Sequence, residues 1–106
     1  MDISKLKEWI LTNDIEKKAI EGFWVNFNNY RIDSEQEFKK YFGNFDNEKL
    51  LISIQSISLK LENWPECNYN HVVVSIQIIY NNSHIGSYDA YFDFNSRIDN
   101  DYFVIF

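Results

Sequence analysis

The sequence predicts an α+β fold, with helices in the first half and an antiparallel meander of about four strands in the second. Three observations predict it. Apolar residues recur at helical spacing through residues 3–20 and again through 34–42. From residue 49 onward the apolar residues alternate instead, with period two. Short Asn- and Asp-rich clusters separate the alternating runs, as turns between strands do. The 106 residues fit a single domain, 1–106, large enough to bury a core without disulfides or metals.

The first segment reads as a helix capped by Asp2 or Ser4, with Ile3, Leu6, Trp9 and Ile10 on one face. Thr12-Asn13-Asp14 interrupts it and can cap a second helix carrying Ile15, Ala19 and Ile20, with Gly22 as a plausible stop. In residues 23–32, Phe23, Val25 and Phe27 alternate, which predicts a short strand or extended segment. Ser34 and Glu37 have the spacing of a capping box, in which each side chain satisfies a free backbone donor of the other. They open a helix with Phe38, Tyr41 and Phe42 on one face and Gly43 at its end.

Four strands follow. In residues 49–61, Leu50, Ile52 and Ile54 keep one phase, whereas Ile57, Leu59 and Leu61 keep the other. A slip of one residue would throw half the set to solvent, so a β-bulge or bend is expected at Gln55-Ser56. Residues 71–80 place Val72, Val74, Ile76, Ile78 and Tyr80 inward, leaving Val73 and Ile79 exposed as a dimer face or beneath a covering element. Residues 85–94 place Tyr88, Ala90, Phe92 and Phe94 inward and Ser87, Asp89, Tyr91 and Asp93 outward. Both inward sets are even-numbered. Opposed residues share a face, so a three-residue loop at Asn82-Ser83-His84 is expected, pairing Ile78 with Tyr88 and Val74 with Phe92. Residues 101–106 are apolar on both faces, which predicts a central or covered strand. Helices packed on a curved meander of this kind suggest a cystatin-like arrangement.

Composition narrows the function. The chain is 45% hydrophobic and 18% aromatic, unlike disordered sequences. The net charge is −6 and lies unevenly. Residues 61–106 hold six acids against Arg97 alone, net −5; residues 1–60 hold ten acids and nine bases, net −1. Such a field repels nucleic acid and anionic membranes and attracts basic partners, although acidity also serves plain solubility. The first residues, MDISKLKEWILTNDIEKK, contain no apolar signal core, and no run reaches membrane-span length, so a cytoplasmic location is expected.

The motifs of catalysis and cofactor binding are missing from the sequence. Cys67 is the one cysteine, so neither an intramolecular disulfide nor a thiol zinc site can be built. His71 and His84 would lie at opposite ends of one strand, on the order of 30 Å apart at ordinary strand rise. The run Asp93, Asn95, Arg97, Asp99, Asp101 spaces oxygen ligands around a turn, yet lacks the calcium-loop glycine and puts Arg97 at a ligand position. No G-x-S-x-G elbow frames a serine, and Gly22, Gly43 and Gly86 are too scattered to cradle a phosphate. Asp89 and Asp93 could form a carboxylate pair, but a solvated face explains them as well. No catalytic residue, metal or cofactor is therefore expected. What remains is a surface. Trp64, Glu66 and Tyr69 in the loop before the second strand, with Asp89, Tyr91, Asp93, Asp99 and Asp101, combine rings with carboxylates and suit a basic protein partner.

The closing stretch IGSYDAYFDFNSRIDNDYFVIF resembles the terminal hairpin of small bacterial immunity proteins, which bind and neutralise toxins. The likeness covers about the last fifth of the chain and transfers no functional residue. It implies a cytoplasmic, non-enzymatic inhibitor, monomeric or homodimeric, whose partner is a toxin domain such as a nuclease with a basic cleft. Two other readings compete. One is a phage-type inhibitor that mimics nucleic-acid charge against a defence complex. The other is a ligand-binding or enzymatic domain with a pocket inside the curved sheet, which would need polar residues facing inward.

Overall fold

The computed structural model describes residues 2–106 and has the predicted order of elements. Helices α1 (Ile3–Thr12), α2 (Ile15–Asp33) and α3 (Glu35–Phe42) precede a 3-10 turn (Asn47–Lys49). Strands β1 (Leu50–Glu62), β2 (Tyr69–Tyr80), β3 (Ser83–Phe92) and β4 (Ile98–Ile105) follow. They form one antiparallel meander in the order β1-β2-β3-β4. The helices cover one face of it.

Helix α1 is capped by Asp2, whose carboxylate accepts from the Lys5 amide. Helix α2 corrects the strand expected at 23–32. Ile15, Ala19, Phe23 and Phe27 recur every fourth residue and are all fully buried. That stripe overrides the local alternation and leaves Val25 exposed. Gly22 lies inside the helix and does not end it. A methyl group there would collide with the Tyr88 hydroxyl and crowd the Ile98 side chain, so the glycine serves close approach of helix to sheet. The capping box at Ser34 and Glu37 is not made: Ser34 offers no side-chain cap to α3, and its backbone N–H closes α2 on the Tyr30 carbonyl. The Ser34 backbone, at φ −123° and ψ 48°, departs from the extended conformation of an N-cap, and only its carbonyl serves α3, accepting from the Phe38 amide. Gly43 does end α3, with φ of +57° and its N–H on the Lys39 carbonyl.

The expected bulge lies at Gln55, where the β1–β2 register shifts between Ile54 and Ser56, so Ile57 still faces the helices. The β2–β3 hairpin turns through two residues, Asn81 and Asn82, both with positive φ, and not through three. A bulge at Ile85 restores the parity, which gives Ile78↔Gly86, Ile76↔Tyr88, Val74↔Ala90 and Val72↔Phe92 in place of the expected pairs. Phe94 is exposed, because the strand has ended and it occupies the next turn. A third bulge, at Asp99, offsets β4 from β3. Strand β4 is an edge strand, not a central one: its only neighbour is β3, and Tyr102, Val104 and Phe106 are exposed on the helix-free side.

Aromatic rings fill the space between helices and sheet. Phe27 stands at their centre, 5.9 Å from Phe38, 5.8 Å from Phe42 and 5.6 Å from Phe45 between centroids. Phe42 continues the cluster onto β2 through Tyr80 at 5.0 Å, and Phe23 reaches Tyr88 on β3. Arg31 lies over Phe38 and Phe45.

Candidate functional site

The face of the sheet turned away from the helices gathers most of the polar and aromatic residues singled out from the sequence. Alternation on β2 and β3 sends Tyr69, His71, Val73, Ser87, Asp89 and Tyr91 to this side. The Gln55 bulge adds Lys60 and Glu62 from β1, directly opposite His71 and Tyr69. Strand β4 adds Asn100 opposite Tyr91 and Tyr102 opposite Asp89.

His71 is the hub. It is only 2% exposed although no helix covers it. Tyr69 lies 4.2 Å away and Tyr91 5.7 Å away between ring centroids, and together they shield it. Its Nε2 donates to the Asp99 carboxylate at 2.8 Å. The Asp99 bulge brings that carboxylate onto this face. Nδ1 is buried and has no hydrogen-bond partner among the described residues. The neighbouring Val73, expected at the surface, is buried by the same cluster.

Lys60 spans the face. Its ammonium donates to the Tyr91 hydroxyl at 3.1 Å, pairs with Glu62 at 2.9 Å and lies 5.2 Å from the Tyr91 ring centroid. The Glu62 carboxylate first, then the Tyr91 hydroxyl, pushes the Lys60 pKa up. Tyr102 stands edge-on to Tyr91 at 5.4 Å, with its hydroxyl accepting from Asn100. Three tyrosines thus stand in a row whose base is fixed by hydrogen bonds. Such rings lose little side-chain freedom on contact with a partner.

The other sequence candidates divide. Trp64 is 75% exposed near Glu66 in the β1–β2 loop and precedes a cis Trp64-Pro65 bond. The loop is held by the Cys67 amide on the Asn63 carbonyl and by Asn63 on Asn68. Asp89 is half-buried on the tyrosine face and engages no cation. Asp93 organises the β3–β4 turn by accepting from the amides of Asn95 and Arg97, the capping role that Asp plays in turns. Asp101 belongs to the opposite side. It shares the face of Ala90 and accepts from the Tyr88 hydroxyl at 2.8 Å and from Asn26 at 3.0 Å, which ties β4 to α2. The Asp99 bulge explains the error, because it reverses which β4 residues face outward.

Lys60 and Tyr102 were not singled out from the sequence, and His71 only as a metal-ligand candidate. Two signals pointed to them. The phase slip at Gln55 already put Lys60 on the outer face, and His71 shares the odd-numbered phase of the outward positions on its strand.

Chemistry is harder to place. The described residues hold no group of three or more His, Cys, Asp and Glu side chains able to bind a metal. The concave side of the sheet, where a ligand pocket would lie, is occupied by the phenylalanine cluster. One groove, about 410 Å³, runs instead between α1 and Ile57, is lined by Ile3, Leu6, Ile10 and Leu11 with Lys7 and Glu16, and lacks the convergent polar groups that orient a small substrate. A larger, more open one, about 630 Å³, lies along α2 and α3, where Glu35 and Lys39 pair with each other and Arg31 lies over Phe38 and Phe45. No described helix is long and apolar enough to cross a membrane. No protein-family model matches the chain, and no curated protein or solved structure is significantly similar to it.

Proposed function

We propose that the protein is a non-catalytic acidic inhibitor that grips a basic protein through the tyrosine-bearing sheet face. Immunity against a bacterial toxin domain, inside the cytoplasm, is the setting in which such a protein fits. The observation that carries the reading is the row Tyr69, Tyr91 and Tyr102 on an uncovered face, bracketed by Asp89, Asp99 and Glu62. Lys60 is the one cation among these side chains, and Glu62 already engages it. A partner arginine or lysine would therefore meet ring faces together with the Asp89 carboxylate. Trp64 and Glu66 extend the face at the hairpin tip. A nuclease toxin, whose cleft is basic to hold phosphates, has the complementary charge.

Capture on the tagged protein from its native source, at low and high salt, tests this. A basic protein is expected to bind at low salt and to be released at high salt. With that partner in hand, Asp89→Lys is expected to weaken binding at least about tenfold, some 1.4 kcal/mol, and to flatten the salt dependence. Tyr91→Ala weakens it with little change in salt dependence. Asp93→Lys is a poor probe because it breaks the turn that Asp93 holds. Normal binding by both Asp89→Lys and Tyr91→Ala rules out the face. Failure to capture any protein at either salt rules out the reading.

A further inference from the structure

The two edges of the sheet differ in how they are protected. Strand β1 is bent by the Gln55 bulge and carries Ser53, Ser56, Ser58, Lys60 and Glu62 on its outer side, devices that discourage another strand from pairing. Strand β4 is protected only over its first half. There the Asp99 bulge breaks the ladder, and the outward amide of Asp101 is taken by the side chain of Asn100 at 3.0 Å. From Tyr102 to Phe106 the edge has no charged side chain, no proline and no bulge.

The hydrogen-bond phase shows which groups are free. The Phe106 amide donates inward to the Ile85 carbonyl on β3. In an antiparallel ladder, alternate residues bond to the same neighbour, so Val104 and Tyr102 also point inward. The amides and carbonyls of Phe103 and Ile105 therefore point away from the sheet. No described hydrogen bond reaches them, and they have no second strand beside them.

We propose that this edge pairs with the same edge of a second copy of the chain, antiparallel about a two-fold axis at Val104, to give a continuous eight-stranded sheet. The register follows from the free groups. Setting Phe103 opposite Ile105 of the second copy satisfies the outward amide and carbonyl of both residues in both copies. Moving the axis to Phe103 would instead bring Ile105 against Asp101, whose amide is already bonded. The Val104 register also puts like with like. Tyr102 meets Phe106 and Val104 meets Val104 on the outer side, where all three are now about half exposed or more, at 50%, 48% and 64%. An isologous contact of this kind closes on itself and does not propagate. Absence of charged side chains between Tyr102 and Phe106 is what allows it in a chain of net charge −6. A five-residue edge contact falls short of the about 1,200 Å² typical of a stable interface, so the pairing is reversible and concentration-dependent. It does not rest on the inhibitor reading: Tyr91 and Asp89 lie inside the sheet and stay open in the pair, whereas Tyr102 is shared by the two surfaces.

Sedimentation equilibrium from about 1 μM to about 1 mM tests it, since this range brackets a weak association. The wild type is expected to move from monomer to dimer and stop there. Amide exchange at high concentration should slow at Phe103 and Ile105 relative to low concentration, with Asp101 unchanged. Ile105→Pro removes an outward N–H, an edge position where a strand tolerates proline, and should raise the dissociation constant at least about tenfold. Val104→Lys, which sets two charges face to face at the axis, should do the same with an unchanged circular dichroism spectrum. A wild type that stays monomeric throughout, or assembles beyond a dimer, overturns the proposal. So does a dimer that survives Val104→Lys.

Discussion

The two faces of the sheet are built from the same strands and the same kinds of ring, yet they hold those rings in different ways. On the helix side, Phe23, Phe27, Phe38 and Phe42 are buried by other rings and make no hydrogen bonds. On the open side, Tyr69, Tyr91 and Tyr102 keep an edge in solvent, while His71 beneath them is anchored by Asp99 and Lys60 caps Tyr91. The first arrangement removes apolar area from water and so carries the fold. The second fixes side chains in place while leaving area to be buried later, which is what a contact surface requires. A polar residue as deeply buried as His71 on an uncovered face marks where the molecule holds geometry at some cost in stability.

The sharpest way to break the comparison is to remove one ring from each face. Phe27→Ala empties the point where α2, α3 and the loop after α3 meet, and nothing nearby can collapse into the space without unstacking Phe38 and Phe42. Its expected cost is about 3–5 kcal/mol. Tyr91→Ala removes a ring of similar size that solvent already reaches, so about 1–2 kcal/mol is expected from lost packing on His71 and Lys60. Urea unfolding of both variants checks this, with the midpoint shift of Phe27→Ala at least twice that of Tyr91→Ala. Equal shifts would mean that the open face is part of the core.

A smaller effect is expected where helix and sheet approach most closely. Gly22→Ala would gain helix propensity on an isolated helix, yet here the added methyl group meets the Tyr88 hydroxyl. A net loss of about 1–3 kcal/mol is expected. Tyr88→Phe removes the colliding oxygen, so the double variant should be less destabilised than the sum of the two single ones. Strict additivity would show that Ile98, the other side chain near that position, causes the strain.

These contrasts also explain what could be read in advance. Fold class and the Gln55 bulge follow from the periodicity of apolar residues, and the α1–α2 break and the end of α3 from the local chemistry of Thr12-Asn13-Asp14 and Gly43. The strand expected at 23–32 failed because Phe23, Val25 and Phe27 fit two periods, and the fully buried four-residue series Ile15, Ala19, Phe23, Phe27 decides between them. The β2–β3 register and the side taken by Asp101 failed for one reason: bulges at Ile85 and Asp99 reset parity and leave no trace in hydrophobicity. Most of the outer face was legible as outward positions on strands. The burial of His71 was not, since it depends on Asp99 arriving through such a bulge.

Alkali tests the packing around two tyrosines on the helix side, Tyr88 and Tyr30. Burial, then the hydrogen bond to Asp101, pushes the Tyr88 pKa well above its usual 10.0. Burial, then the nearby Glu37 carboxylate, pushes Tyr30 up to about 12. A phenol whose folded-state pKa is raised holds its proton in the fold after the unfolded chain has lost it. Its contribution to stability is therefore complete below about pH 10 and is lost as pH rises toward the folded value. Lys60 acts in the same direction, but at the surface, where solvent screens it. Tyr88→Phe should lower stability at pH 7 by about 1 kcal/mol through the lost hydrogen bond to Asp101. Above pH 10 its stability should fall less steeply than that of the wild type, so the two curves converge. Tyr30→Phe adds a further flattening. Urea midpoints at half-unit steps from pH 7 to about pH 11 give the measurement. Parallel curves for wild type and Tyr88→Phe would mean that the Tyr88 hydroxyl reaches solvent in the folded protein, and the close approach of β3 to Gly22 would be wrong with it.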